Sequence, residues 1–246
     1  AACVSLILSD VLGNDPTVIA SGPTVPRQPN PARALELLDR YRLRASVPAA
    51  VVELLEDSTT RGATAGASVR SDRDVWSIVG DNGLFLESLK TTAERHGLHA
   101  EIIWRDREGE ARDLAREFVE LCAGMSEDVD CVLGGGEATV AVAGDGLGGR
   151  NTEFALAAAV ELAERRLPWA IASLASDGDD GANEHAAGGV VDNMTIGRGI
   201  AAGLDARDAL ERNDSGAYLR AVDAMFTGPP TGTNVNDAYI GIRLAK

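Results

Sequence analysis

The chain of 246 residues is 45% hydrophobic and 25% charged, the balance of a soluble globular protein with ample length to bury a core. Lys and Arg number 23 against 38 Asp and Glu, a formal net charge of -15, which makes nucleic acid and anionic membrane surfaces poor partners. Aromatic residues are 4% of the chain, too few for a binder that stacks bases. No apolar run approaches the ~20 residues that span a bilayer, and no signal-peptide pattern is present. Cys3, Cys122 and Cys131 sit in apolar runs without paired spacing and read as buried thiols of a reducing, cytoplasmic setting.

The opening run "ACVSLILS" has the pattern of a strand buried on both faces, which needs neighbours on both sides. The chain is therefore expected to begin inside a domain. Asp15 and Pro16 suit the start of a short helix that Gly22-Pro23 ends. "PARALELLDRYRL" and "PAAVVELLED" read as amphipathic helices, and the polar stretch 57–74 reads as a loop. From there "VWSIVG", a helix over 82–96, "HAEIIW", a helix over 109–123 and "CVLGG" alternate, which predicts a mostly parallel sheet covered on both faces. Beyond residue 127 the chain turns glycine-dense. Strands "ATVAVA", "AIASLAS" and "YIGIRL" are expected there, with helices near 152–165, 194–203, 206–212 and 215–225. The change in composition places a domain boundary at 127/128, giving domains 1–127 and 128–246.

Four loops following these strands are the candidate site, because ligands of open α/β sheets bind beyond the strands' carboxyl ends. Gly134, Gly135 and Gly136 of "GGGEATV", followed by Glu137, could let amide groups approach an oxyanion, or could form a simple turn. Gly144, Gly146 and Gly149 of "AGDGLGGRNTEF" fit G-x-G-x-x-G, yet no acidic residue ends a second strand about 20 positions on, as dinucleotide binding requires. Arg150 at the mouth of the next helix favours an anion clamp, its fork and the helix amides converging on a phosphoryl or carboxylate group. A purely structural arginine is the alternative.

Asp177, Asp179, Asp180 and Glu184 crowd one loop, with spacing that suits Mg²⁺ better than a calcium loop, or an exposed acidic turn. His185 beside them is a proton carrier or a surface residue. Thr231, Thr233, Asn234, Asn236 and Asp237 precede the last strand and can orient hydroxyls or satisfy a turn. Asn213 or Asp214 reads as a helix cap. Asp10, at a strand end, and Ser21, at a helix end, are further contacts.

Together, "LSDVLGNDPTVIASGPTVP", "GGGEATVAVAGDGLGGRNTEFALAAA", "ASDGDDG…AAGGVVD" and "TGPPTGTNVNDAYIG" resemble the glycerate 2-kinases of the MOFRL type, a family often labelled hydroxypyruvate reductase. The resemblance implies the C-terminal part of a Rossmann-like parallel α/β domain followed by a smaller α/β MOFRL domain, with the active site in the cleft between them. It implies phosphoryl transfer from ATP, with a divalent metal such as Mg²⁺, to the 2-hydroxyl of D-glycerate. Arg150 then matches the family's catalytic arginine, and the family's catalytic lysine falls upstream of this sequence, so this piece alone is expected to be inactive. On the same reading Asp10 is catalytic and Asp177 and Asp180 hold metal. Ser21, Gly134, Gly135, Gly136, Glu137, Gly148, Gly149, Asn151, Thr233, Asn234 and Asn236 contact substrate or phosphate. The expected partners are a small anionic hydroxy acid, a nucleotide and a second copy in a homodimer.

The chain departs from the family pattern inside this site. "SDGDDGANEHAAG" is one residue longer than the usual motif, "GPPTGTNVND" gains a proline, and "GGRNTE" replaces the commoner "GGRNQE". The rival readings are an NAD(P)H-dependent hydroxypyruvate reductase and a non-catalytic metabolite-binding relative.

Overall fold

The computed structural model describes residues 2–25, 29–61, 74–183 and 185–244. In chain order the elements are β1 (Val4–Leu8), α1 (Pro31–Arg40), α2 (Ala49–Arg61), β2 (Val75–Gly80), α3 (Asn82–Arg95), β3 (Ala100–Ile102), β4 (Arg107–Glu110) and α4 (Ala111–Gly124). There follow β5 (Cys131–Thr139), α5 (Arg150–Arg165), β6 (Trp169–Ala175), β7 (Ala186–Asp192), α6 (Thr195–Ala201), α7 (Ala206–Glu211), α8 (Ser215–Ala221), β8 (Met225–Thr227) and β9 (Asp237–Arg243). The chain forms two compact units, 1–6 with 15–77, and 7–14 with 78–246. The second unit runs without a break across 127/128, because β3 and β4 pair with β5 in one sheet.

The first unit carries helices α1 and α2. Asn30 accepts the amide of Arg33 and Pro31 occupies the first helical position, so α1 starts where its sequence signals it. Helix α2 runs further than expected: Thr59 and Thr60 stay helical by bonding back to the carbonyls of Leu55 and Glu56. Residues 62–73 of the expected loop lie outside the described residues. A three-residue 3-10 turn, Ile19–Ser21, ends at the left-handed Gly22, as the Gly-Pro signal implies. Asp15 caps that approach by accepting the Thr17 amide.

Strands β1 and β2 form a two-stranded sheet of their own. Val4 and Leu6 of β1 are about 70% exposed in this chain. Cys3 is exposed too, whereas Cys122 and Cys131 are buried thiols as expected, burial pushing Cys122 up to about 12 and Cys131 to about 11.

The second unit is built on a seven-stranded sheet of order β3-β5-β9-β6-β7-β8, with β4 continuing the β3 edge alongside β5. Only the β3 and β4 pairings are parallel; β5–β9, β9–β6, β6–β7 and β7–β8 are antiparallel. The mostly parallel sheet expected from alternation is thus a mixed one. The last strand slides between β5 and β6 and runs against both, a choice that periodicity does not encode.

Side chains alternate faces along β5. Cys131 and Leu133 pack with Leu86 of α3, while Val132 packs with Phe118 of α4 and Phe154 of α5 on the other face. Tyr239 stacks on Phe154 at 4.4 Å between ring centroids, and Trp104 and Phe118 close the cluster edge-on or tilted. Helix α5 is buried from Asn151 to Ala159, and its alanines allow β7 to approach: a Cβ on Gly189 would lie 2.8 Å from that of Ala155. Within this helix Glu153 is fully buried, held by Arg112 Nε at 2.6 Å and Asn213 Nδ2 at 3.1 Å. That bond ties α4, α5 and the α7–α8 connection together. Removing its cation would leave a buried carboxylate unpaired, a loss of about 3 kcal/mol or more.

Candidate functional site

Loop 140–149 resolves the glycine question. The expected strand "ATVAVA" ends at Thr139, so the G-x-G-x-x-G does not follow a strand directly and is not a dinucleotide turn. Most of its amides are bonded within the protein. The amides of Ala143 and Gly144 donate to Asn213 Oδ1, Gly146 to the Arg212 carbonyl, Leu147 to Asp214 Oδ1 and Gly149 to Thr152 Oγ1. Asn213 and Asp214, expected as helix caps, hold this loop instead. Glycine is needed for close approach: a Cβ on Gly148 or Gly149 would meet the carbonyls of Asn213 or Asp180 at 2.7 and 2.3 Å.

The same correction applies to Gly134, Gly135 and Gly136. They lie inside β5, paired with Tyr239, Ala238 and Asp237, so their role is pairing and packing. Gly136, at φ +151°, sits against β4, where a Cβ would be 2.0 Å from the Arg107 carbonyl. At Gly135 the obstacle is Asn82 Oδ1, also at 2.0 Å.

The start of α5 gathers anions as its sequence implies, but they are the protein's own. Asp180, fully buried, accepts the amides of Asn151 and Thr152 at 2.8 Å each, one per carboxylate oxygen. It caps the helix start and its dipole. Asp177 accepts the Asp179 amide in a local turn. Among the described residues no group of three or more His, Cys, Asp or Glu is arranged to hold a metal ion. Glu184 lies outside the described residues, and His185 has a left-handed backbone, φ 60°.

Arg150 is not a free clamp either. Its Nε and Nη2 form a two-pronged ion pair with Asp237 at 2.7 and 2.9 Å, and its side chain is 23% exposed. Asn151 Nδ2 donates to the same carboxylate at 3.0 Å, and Ser173 Oγ donates to Asn151 Oδ1 at 2.7 Å. Glu137, at the end of β5, lies 4.0 Å from Arg150 and accepts Asn236 Nδ2 at 3.1 Å. Asn236 also donates to the backbone carbonyl of Asp10 at 2.8 Å, from a left-handed conformation with φ 64°. Glu137, Arg150, Asn151, Asn236 and Asp237 therefore form one cluster, which Asp10 meets through its main-chain carbonyl. Thr233 and Asn234 shape the loop leading into it, Asn234 Oδ1 accepting the Asn236 amide. Ser21 lies in the other compact unit.

Two residues here carry no site signal of their own in the sequence. Asp237 is one polar loop residue among five, and Asn82 reads only as part of a helix. Its Nδ2 donates to the carbonyls of Val235 and Asp237 at 2.9 and 3.0 Å, clamping the turn that delivers Asn236. No short-range pattern signals a contact made across more than 150 residues.

The ion pair has a readable electrostatic signature. Burial pushes the Asp237 carboxyl up from 3.8 to about 6, its bonds to Arg150 and Asn151 recovering only part of the shift. Burial pulls Arg150 down, but the bond to Asp237 and the charges of Asp237, Glu137 and Asp180 outweigh it and raise the guanidinium. The acid's direction governs acidification, because only Asp237 titrates in the accessible range. With its folded value above the unfolded one, the folded state binds the proton more tightly between those pH values. Asp237's contribution to stability is thus fully present below about pH 4 and lost as pH rises through about 6. The stability of the wild type minus that of Asp237→Asn, from urea midpoints, should fall between pH 4 and 7. A flat difference would refute the assignment.

What the fold and cluster define is an α/β protein with one arginine fixed among carboxylates and amides beside a glycine-rich helix start. Residues 130–237 match the MOFRL family, and residues 1–56 match a domain of unknown function (DUF4147). A D-glycerate 2-kinase of Thermotoga maritima is 34% identical over 98% of this chain and 57% of its own length. A glycerate kinase of Macaca fascicularis is 32% identical over 98% of this chain and 72% of its own. The crystal structure of glycerate kinase from Thermotoga maritima superposes with a TM-score of 0.84 at 33% identity, covering 98% of this chain and 57% of that one. The chain belongs to the MOFRL-type glycerate kinase family. It spans about three fifths of the length of the first curated relatives it matches, 61% and 57%. Among the described residues no helix is long and apolar enough to cross a membrane.

Proposed function

We propose that this chain is part of an ATP-dependent glycerate 2-kinase, acting in the cytoplasm, and that the Arg150 cluster is its share of the active site. The likeness to the Thermotoga kinase over nearly the whole chain is the observation that carries this reading. In the reaction the 2-hydroxyl oxygen of D-glycerate bonds to the γ-phosphorus of ATP, the bond to the β-phosphate bridging oxygen breaks, and the hydroxyl proton is released. Such a transfer asks chiefly for positioning and charge neutralisation.

Arg150 keeps the Nη1 side of its fork uncommitted among the described residues, which suits one oxygen of the glycerate carboxylate or of the moving phosphoryl. Glu137 is a poor phosphate contact, being itself anionic. Steadied by Asn236 and partly exposed, it suits the 2-hydroxyl as hydrogen-bond acceptor. No step is assigned to a metal. The reductase alternative loses its main support with the glycine motif, whose amides are held by the protein itself.

The test is a coupled assay of the full-length protein with ATP, Mg²⁺ and D-glycerate. ADP release with formation of 2-phosphoglycerate is expected. Oxidation of NADH on adding hydroxypyruvate, with no ADP release, would replace this reading by the reductase.

A further inference from the structure

We propose that Asp237 is a positioning residue of the reaction: its buried carboxylate grips the Nε/Nη2 edge of Arg150 permanently, so that substrate meets the Nη1 side alone. This rests on the reading of Arg150 as a catalytic residue.

The carboxylate is placed by main chain rather than by a flexible loop. Asp237 is the first residue of β9 and pairs with Gly136 on one side and Ala175 on the other. Its carbonyl, and that of Val235, are held by Asn82. The side chain is fully buried and accepts three donors: Arg150 Nε, Arg150 Nη2 and Asn151 Nδ2. Ser173 Oγ donates to the far end of the Asn151 amide, which leaves Asn151 only its NH₂ to offer Asp237. The relay from Ser173 through Asn151 to Asp237 has one orientation.

At the arginine, two of five donors are committed to Asp237 and a third faces Glu137 at 4.0 Å. A guanidinium bound through one edge can rotate neither about its own plane nor away from its partner. Its remaining donors are therefore aimed before substrate arrives, which is the preorganisation that lets a cation act without reorganising during the reaction. Stability alone does not explain the arrangement. A buried ion pair is often no better than apolar residues of the same volume. This pair is also left partly open on the arginine side, 23% exposed, while the acid is sealed. A carboxylate that merely stood in for substrate would instead need room to leave, and Asp237 has none.

The experiment uses full-length wild type, Asp237→Asn, Arg150→Lys and the double variant. Asp237→Asn should lower kcat about 100-fold through a displacement of an ångström or less, while KM for D-glycerate changes little. In the Arg150→Lys background, where no fork remains to be aimed, the second change should add no more than about twofold. An undiminished loss in that background overturns the proposal, as does a KM that falls in Asp237→Asn, the mark of a displaced stand-in. Should Asp237→Asn fail to fold, Asp237→Glu keeps the charge but shifts the grip by a methylene, and the same pattern is expected. A second readout is independent of turnover: phenylglyoxal labelling of Arg150, followed by peptide mass spectrometry. Protection in wild type and its loss in Asp237→Asn support the grip; equal labelling overturns it. If wild type is protected and Asp237→Asn is labelled as expected, yet wild type does not phosphorylate glycerate, the functional reading fails while the grip stands.

Discussion

Arg150→Ala in the full-length protein is expected to lower kcat by about 10³-fold, the scale at which a cation facing transferring phosphoryl or carboxylate oxygen matters. The same change should cost about 3 kcal/mol of stability, because Asp237 would stay buried with only Asn151 for a partner. The two effects separate by experiment. Arg150→Lys keeps the charge near Asp237 and should recover most of the stability. It cannot supply a two-pronged fork, so most of the kcat loss should remain. A folded Arg150→Ala protein with wild-type kcat would remove the arginine from the reaction.

The second large effect is on folding. Asp180→Ala strips the amides of Asn151 and Thr152 of their acceptors at the buried start of α5. Two charge-assisted bonds to buried donors are worth about 3 kcal/mol together, which lowers the melting temperature by roughly 6–12 °C for a unit of this size. The loss should be the same with and without Mg²⁺. If Mg²⁺ instead raises the melting temperature of the wild type, and the rise disappears in Asp180→Ala, the residue is a metal ligand after all.

Both effects turn on residues that were visible in the sequence but whose partners were not. Arg150 stood out because it follows a glycine run and opens a helix, and it lies at the centre of the cluster. Asp180 stood out as one acid among several, and the metal reading followed from the crowding. The structure disperses that crowd: one acid is inside, capping a helix that begins 30 residues earlier in the chain, and another closes a local turn. The glycines read as ligand contacts in the sequence; in the structure they let backbone meet backbone, at Gly136 against Arg107 and at Gly149 against Asp180.

The sequence by itself determined the helices α3 to α5 within a residue or two, most strands of the second unit, the two buried thiols and the kinship with glycerate kinases. These follow from local periodicity, capping chemistry and long motifs, all of which are written in neighbouring residues. Tertiary structure alone decided that β9 enters between β5 and β6, making a mixed sheet. It alone supplied the anions: Asp237 for the fork of Arg150 and Asp180 for the helix start. The physical reason is shared. A strand's neighbour, or a charge's partner, is chosen by which distant segment arrives with matching shape and opposite charge, and no local pattern records that arrival.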